Sequence, residues 1–253
     1  VAVLALGLTL GGCGLFGGKT EQKEWGPQDY YVAAKEEMAG NNWQSAIKLL
    51  EQLESKYPFG RFAQQAQLEI AYAHYKDGET AQCISAIERF MKQHPNHANV
   101  DYALYLKGLA NFKEDLGPLS RVISQDLADR DPKAARESFE VFKELVTRFP
   151  ESRYASDSRQ RMQYLVDAIA RHEVHVAQYY LRRGAFLASA NRAQDVLVRY
   201  PNAPSRREAL EIMVEAYDRM GLVELRDDAK KVLALNYPAD PNPAPRSWWK
   251  FWN

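Results

Sequence analysis

The chain has 253 residues, with 33 basic and 33 acidic side chains, so its formal net charge is zero. That balance excludes the basic stripe on which a sequence-independent grip on nucleic acid depends. Apolar residues make up 46%, enough for a packed core, and two widely separated cysteines, Cys13 and Cys83, argue against a disulfide framework.

Residues 1–12 open on an apolar run that meets Gly11-Gly12-Cys13. The run is shorter than the roughly 20 residues a spanning helix needs. It reads as the end of a secretory signal that lacks its start. Leu10-Gly11-Gly12-Cys13 resembles a bacterial lipobox, in which small residues precede a cysteine that is acylated. A small, buried, glycine-flanked cysteine is the alternative. The lipobox implies a diacylglycerol and an N-acyl chain on Cys13, and several chains hold a protein to its membrane where one does not. Beyond that covalent lipid no cofactor is expected. Residue 14 is Gly rather than Asp, which in the matching sorting scheme implies the outer membrane. Residues 13–26 then read as a lipidated polar tether.

From residue 27 the composition favours helix, with Ala, Leu, Glu, Gln, Arg and Lys dominant. Five aromatic-proline pairs punctuate the pattern: Tyr57-Pro58, His94-Pro95, Phe149-Pro150, Tyr200-Pro201 and Tyr237-Pro238. Five residues before each proline stand Leu53, Phe90, Leu145, Val196 and Leu233. Eight before stand Leu50, Ile87, Phe142, Ala193 and Lys230. Twelve before stand Ala46, Cys83, Ser138, Ser189 and Arg226. Those offsets share one helix face, with a small residue at minus twelve in four copies. The proline ends the helix by disfavouring the α region in the residue before it. Ser152 and Ser205 are expected to cap the helices that follow. The phase places Tyr30, Ala34, Ala46 and Leu50 at the aromatic and small positions of a tetratricopeptide unit. The expected fold is all-α, a solenoid of about five tetratricopeptide-like helix–turn–helix repeats. The fifth copy is irregular, as terminal repeats often are. Cys83 fills a small core position.

Residues 27–112 hold the N-terminal repeats. Residues 113–133, with Gly117-Pro118, exceed the repeat and read as an insertion on one face. Residues 134–240 hold a long linking helix, running to about Gly184, and the C-terminal repeats. The tail 241–253, rich in Pro and Trp, suits a membrane interface or a partner groove, or packs back on the last repeat. His94/His97 and His172/His175 lack metalloprotease spacing, and no nucleophile elbow, P-loop or dinucleotide fingerprint occurs. Neither a metal site nor an enzyme is expected. The aromatic side chains Tyr31, Phe62, Tyr72, Tyr75, Tyr102 and Tyr105 crowd the N-terminal repeats. They either complete the repeat core or line the concave groove, where tyrosines suit an extended aromatic peptide.

The segments LESKYPFGRFAQQAQLEIAYAHYKDGE (53–79), DYALYLKGLANF (101–112), FPESRYASDSRQRM (149–162) and HEVHVAQYYLRRGAFLASANRAQDVLVRYP (172–201), with the lipobox, resemble the BamD family. Members are lipoproteins of the β-barrel assembly machinery of Gram-negative outer membranes. The resemblance covers about residues 13–240. It implies a lipid-anchored, non-enzymatic adaptor on the periplasmic leaflet of the outer membrane. Its implied partners are the POTRA region of the barrel-forming subunit, other assembly lipoproteins and the C-terminal segments of unfolded barrel proteins. Arg192 matches an arginine tied in the family to the barrel-forming subunit. The alternative is a periplasmic repeat scaffold for envelope constriction or peptidoglycan synthesis, a class that usually carries a coiled coil and no lipobox.

Overall fold

The computed structural model describes residues 25–116 and 132–238. These form ten helices: α1 Pro27–Ala39, α2 Trp43–Lys56, α3 Arg61–Asp77, α4 Thr80–Gln93, α5 Val100–Leu116, α6 Lys133–Arg148, α7 Ala155–Arg182, α8 Phe186–Arg199, α9 Arg206–Arg219 and α10 Val223–Asn236. Each packs on its neighbours in the chain, giving five helix pairs, and α1–α3, α3–α5 and α7–α9 also touch. The fold is the expected all-α solenoid. Lipobox and tail lie outside the described residues, and so does the tether up to residue 24. The expected insertion shares its first residues with α5 and its last with α6, and its middle also lies outside them.

The repeated face is the core. In the first four copies every residue at minus five, minus eight and minus twelve is fully buried: Leu53, Phe90, Leu145, Val196; Leu50, Ile87, Phe142, Ala193; Ala46, Cys83, Ser138, Ser189. The two serines also solve a polar problem. Ser138 Oγ donates to the Gly108 carbonyl on α5 at 2.9 Å, and Ser189 Oγ donates to the Ala177 carbonyl on α7 at 2.8 Å. A small side chain lets the neighbouring backbone approach closely enough to accept that bond, so neither of these two hydroxyls is orphaned.

All five joints share one conformation. Tyr57, His94, Phe149, Tyr200 and Tyr237 take φ between −125° and −135° and ψ between 60° and 71°. Each N–H still bonds the carbonyl of the residue four positions back, a core residue in the first four copies, while the carbonyl turns out of the helix to clear the proline ring. Within pairs the turn goes left-handed instead. Gly78 (φ 85°) and Gly184 (φ 74°) serve there, and Asn41 (φ 60°) does so between α1 and α2.

Two expected caps are corrected. Ser205 stands at the N-cap of α9, yet its backbone is helical and its side chain makes no capping bond. Ser152 lies two residues before the cap of α7; its Oγ accepts the Tyr154 N–H at 3.2 Å and donates to Asp101 Oδ2 at 2.6 Å. Both helices start through turns on the preceding joint, Ala155 N–H to the Ser152 carbonyl and Arg206 N–H to the Ala203 carbonyl, which displaces the cap geometry. Helix α7 spans 28 residues, about 42 Å. Its N-terminal part packs with α5 and α6, and its C-terminal part with α8 and α9. Terminal α10 buries only Ala229.

Candidate functional site

The six aromatic side chains named above are all half-buried and pack along the rim of the N-terminal core. They sit on α1, α3 and α5, the first helix of each pair. Tyr31 rests on Phe62, ring centroids 5.8 Å apart, and its hydroxyl donates to Glu69 Oε1 at 3.1 Å. Lys35 Nζ donates to the same oxygen at 3.1 Å. Trp43 of α2 meets Tyr72 edge-on at 6.2 Å, with Lys76 Nζ 5.8 Å above the indole. Tyr105 stacks on Tyr154 at 4.6 Å, and Tyr102 tilts against the same ring at 5.7 Å. Tyr105 donates its hydroxyl to Asp157 Oδ2 at 2.8 Å, and Arg161 Nε donates to that oxygen at 2.5 Å.

The electrostatics tie these contacts into one band. Burial, then the Glu69 carboxylate, pushes the Tyr31 phenol up to about 12. Burial, with Glu69 and Tyr154 adding, pushes Tyr102 well above the usual phenol range. Tyr75 is raised by burial, against the lowering pull of Arg161. Tyr105 is raised by burial and by its bond to Asp157. Burial alone would raise Asp157, but the bonds from Arg161 and Tyr105 outweigh it and hold the carboxyl below its ordinary value. Glu69 and Arg161 thus both reach tyrosines on more than one helix. The surface presents five tyrosine rings and Phe62 together with two charge pairs, Lys35–Glu69 and Arg161–Asp157, which suits apolar and aromatic area joined to hydrogen-bonding groups.

Sequence reasoning missed Tyr154, the ring that joins Tyr102 and Tyr105. It stands at the N-cap of α7, outside the aromatic-proline phase. Its spacing after Pro150 carries no periodic signal, although SRYA adjoins a joint. Trp43 and the Asp157–Arg161 pair were missed for a similar reason, since their partners are 29 and 52 positions away.

Arg192 lies apart from this band, on α8. Its Nη1 donates to Glu173 Oε2 at 3.1 Å. The expected arginine therefore has an internal carboxylate as well as an exposed face. Cys83 packs in the core at its small position. His94 and His97 lie against Phe90 at 5.4 and 5.2 Å, and among the described residues no three His, Cys, Asp or Glu side chains converge as metal ligands would. No helix among the described residues is long and apolar enough to cross a membrane.

The YfiO family model, described as outer membrane lipoprotein, matches residues 23–233. "Outer membrane protein assembly factor BamD" of Neisseria meningitidis serogroup A is 44% identical over 99% of this chain and 97% of its own. The chain belongs to the BamD family. The Vibrio cholerae BamD is 37% identical over 83% of this chain and 87% of its own, and that of Haemophilus influenzae 31% over 93% and 89%. The chain also aligns with the crystal structure of MamA protein, TM-score 0.40 at 13% identity, covering 86% of this chain and 98% of that one. BamD membership makes the chain an outer-membrane-associated factor in the assembly of outer membrane proteins.

Proposed function

We propose that the chain is a non-catalytic adaptor of the β-barrel assembly machinery. Anchored by lipid on Cys13 and facing the periplasm, it receives the aromatic-ended C-terminal segments of unfolded barrel proteins on the band of α1, α3 and α5. Its C-terminal repeats, through Arg192, dock the POTRA region of the barrel-forming subunit and help hold other assembly lipoproteins.

The observation that carries this reading is the band itself. Six half-buried aromatic side chains, joined by Tyr154, follow the first helices of three successive pairs. Half-buried rings keep a rigid face available at low entropic cost, which is what an extended peptide with aromatic residues needs. A photo-crosslinking residue at Tyr75 or Tyr105 is expected to capture a peptide matching a barrel protein's C-terminus. One at Val198, exposed on α8, is expected not to. Equal capture from all three positions would refute the assignment. For the anchor, Cys13→Ser is expected to abolish fatty-acid labelling, and labelled Cys13→Ser protein would refute it.

A further inference from the structure

The residue after the joint proline is Asn96, Glu151, Asn202 and Ala239 in the last four copies, and Phe59 in the first. Polar or small residues are what an exposed turn calls for. Phe59 is exposed as well, at 90%, more than any other large apolar side chain among the described residues. Gly60 follows at φ 98°, and a Cβ there would meet nothing within 4 Å. The first joint is thus a narrow tip in open space with a phenyl ring on it. The repeat does not need that ring, because Ala46, Leu50 and Leu53 already fill the core face of this copy.

The start of the described chain is fastened to the same tip. Tyr57 donates its hydroxyl to the Trp25 carbonyl at 2.8 Å. The Trp25 indole meets Tyr30 edge-on at 5.2 Å and keeps 43% of its surface exposed. Lys56 Nζ donates to the Tyr30 hydroxyl at 2.6 Å and lies 5.1 Å from that ring's centroid. Lys56 and Arg61 flank Phe59 in the chain, and both are exposed. A lysine carries three donors, so its bond to Tyr30 leaves others for solvent. Twelve residues after Cys13 stands Trp25, and twelve residues span no more than about 43 Å. An acyl group on Cys13 therefore keeps this joint near the bilayer, whatever the rest of the stack does.

An exposed phenyl, an exposed indole and flanking cations are side chains that settle at a membrane–water interface. Their aromatic bodies lie at headgroup level and their charges turn to the phosphates. Shape points the same way. A protein partner needs a broad surface to cover, and a protruding tip offers little, whereas a fluid lipid layer closes around it.

We propose that the first joint is a membrane-contact wedge: Phe59 and Trp25 enter the headgroup layer of a phospholipid bilayer, and Lys56 and Arg61 turn to its phosphates. The inference rests on the lipid anchor at Cys13. It adds a second contact, which fixes how the stack stands on the membrane where a tether alone does not.

The acylated full chain is reconstituted on vesicles of phosphatidylethanolamine with a minority of phosphatidylglycerol. An environment-sensitive thiol dye is attached through Phe59→Cys, or through Asn96→Cys at the matching place of the second joint; Cys83 is buried and stays unlabelled. At position 59 the dye emission is expected to shift to the blue and to be quenched by nitroxide lipids, and at position 96 to report water. A second measurement separates the native ring from the dye. Ser55→Cys, exposed in the last turn of α2, carries a donor dye in chains with Phe59 or with Phe59→Asn. Energy transfer to acceptor lipids is expected to fall in the Phe59→Asn chain. Water at position 59, equal signals at 59 and 96, or energy transfer unchanged by Phe59→Asn overturns the wedge. So does a blue shift that appears only when the POTRA region of the barrel-forming subunit is added, which makes the tip a protein contact. If the chain fails to float with the vesicles, the anchor falls and the wedge with it. If it floats while position 59 stays in water, only the wedge falls.

Discussion

Gly108 shows how tightly the repeats close. A Cβ there would stand 2.5 Å from the Phe142 ring, and that ring is fully buried with nowhere to move. Gly108→Ala is expected to destabilise the fold by about 1–3 kcal/mol, the usual cost of overpacking, read as a lowered urea midpoint at unchanged slope. The tyrosine wall makes a second prediction, on pH. Tyr31, Tyr75, Tyr102 and Tyr105 all hold their protons above the ordinary value of 10.0 in the folded chain. The unfolded chain releases them near 10. Their contribution to stability is therefore complete below pH 10 and is lost as pH rises toward 12 and beyond. Phenolate absorbance should lag behind that of a denatured sample, and thermal stability should fall over the same range. Coincident titration of folded and denatured chains would contradict the burial of these hydroxyls. Glu173 was not legible as a special residue: in HEVH it reads as one more solvated helix charge. Its burial comes from α6 and α8 closing over α7, which no local pattern records.

Helices and joints were far more legible, because their causes are local. Proline acts within one helical turn of itself, and a core face needs only the right offsets, so Leu53, Phe90, Leu145 and Val196 were identifiable from spacing alone. The same logic failed for Ser152 and Ser205, where the turn of the preceding joint replaces side-chain capping. It also failed for Tyr154, whose partners come from α5, about fifty positions earlier. The intrapair turns are a further local device. Gly184 ends α7 with φ 74°, and a Cβ there meets nothing within 4 Å. Gly184→Ala therefore isolates backbone strain from packing. It is expected to cost about 1 kcal/mol, measurable by denaturant titration, and a neutral result would show that the left-handed turn relaxes.

At the scale of the whole molecule, α7 is the only helix among the described residues that contributes to the cores at both ends of the stack. Ala155 belongs to the N-terminal core, Leu165 and Ile169 pack with Phe142, and Ala170, Val174 and Ala177 belong to the core of α7, α8 and α9. Elsewhere each repeat leans mainly on its nearest neighbours, so stability adds up along the array. Coupling between the ends depends on one continuous helix. A proline at Ala170, fully buried between Ile169 and the second core, removes a backbone hydrogen bond and costs about 3 kcal/mol or more. That loss falls where the two cores meet. Under hydrogen exchange, Ala170→Pro is expected to speed exchange in α8, α9 and α10 while α1 to α4 keep their protection. Uniform acceleration along the chain would mean that the stack unfolds as a single unit. In that case the aromatic band and the C-terminal helices share one cooperative fold, and α7 is not a mechanical division between them. With exchange confined to the C-terminal helices, the two surfaces can be destabilised separately, and loss of docking can be tested in a chain whose aromatic band is intact.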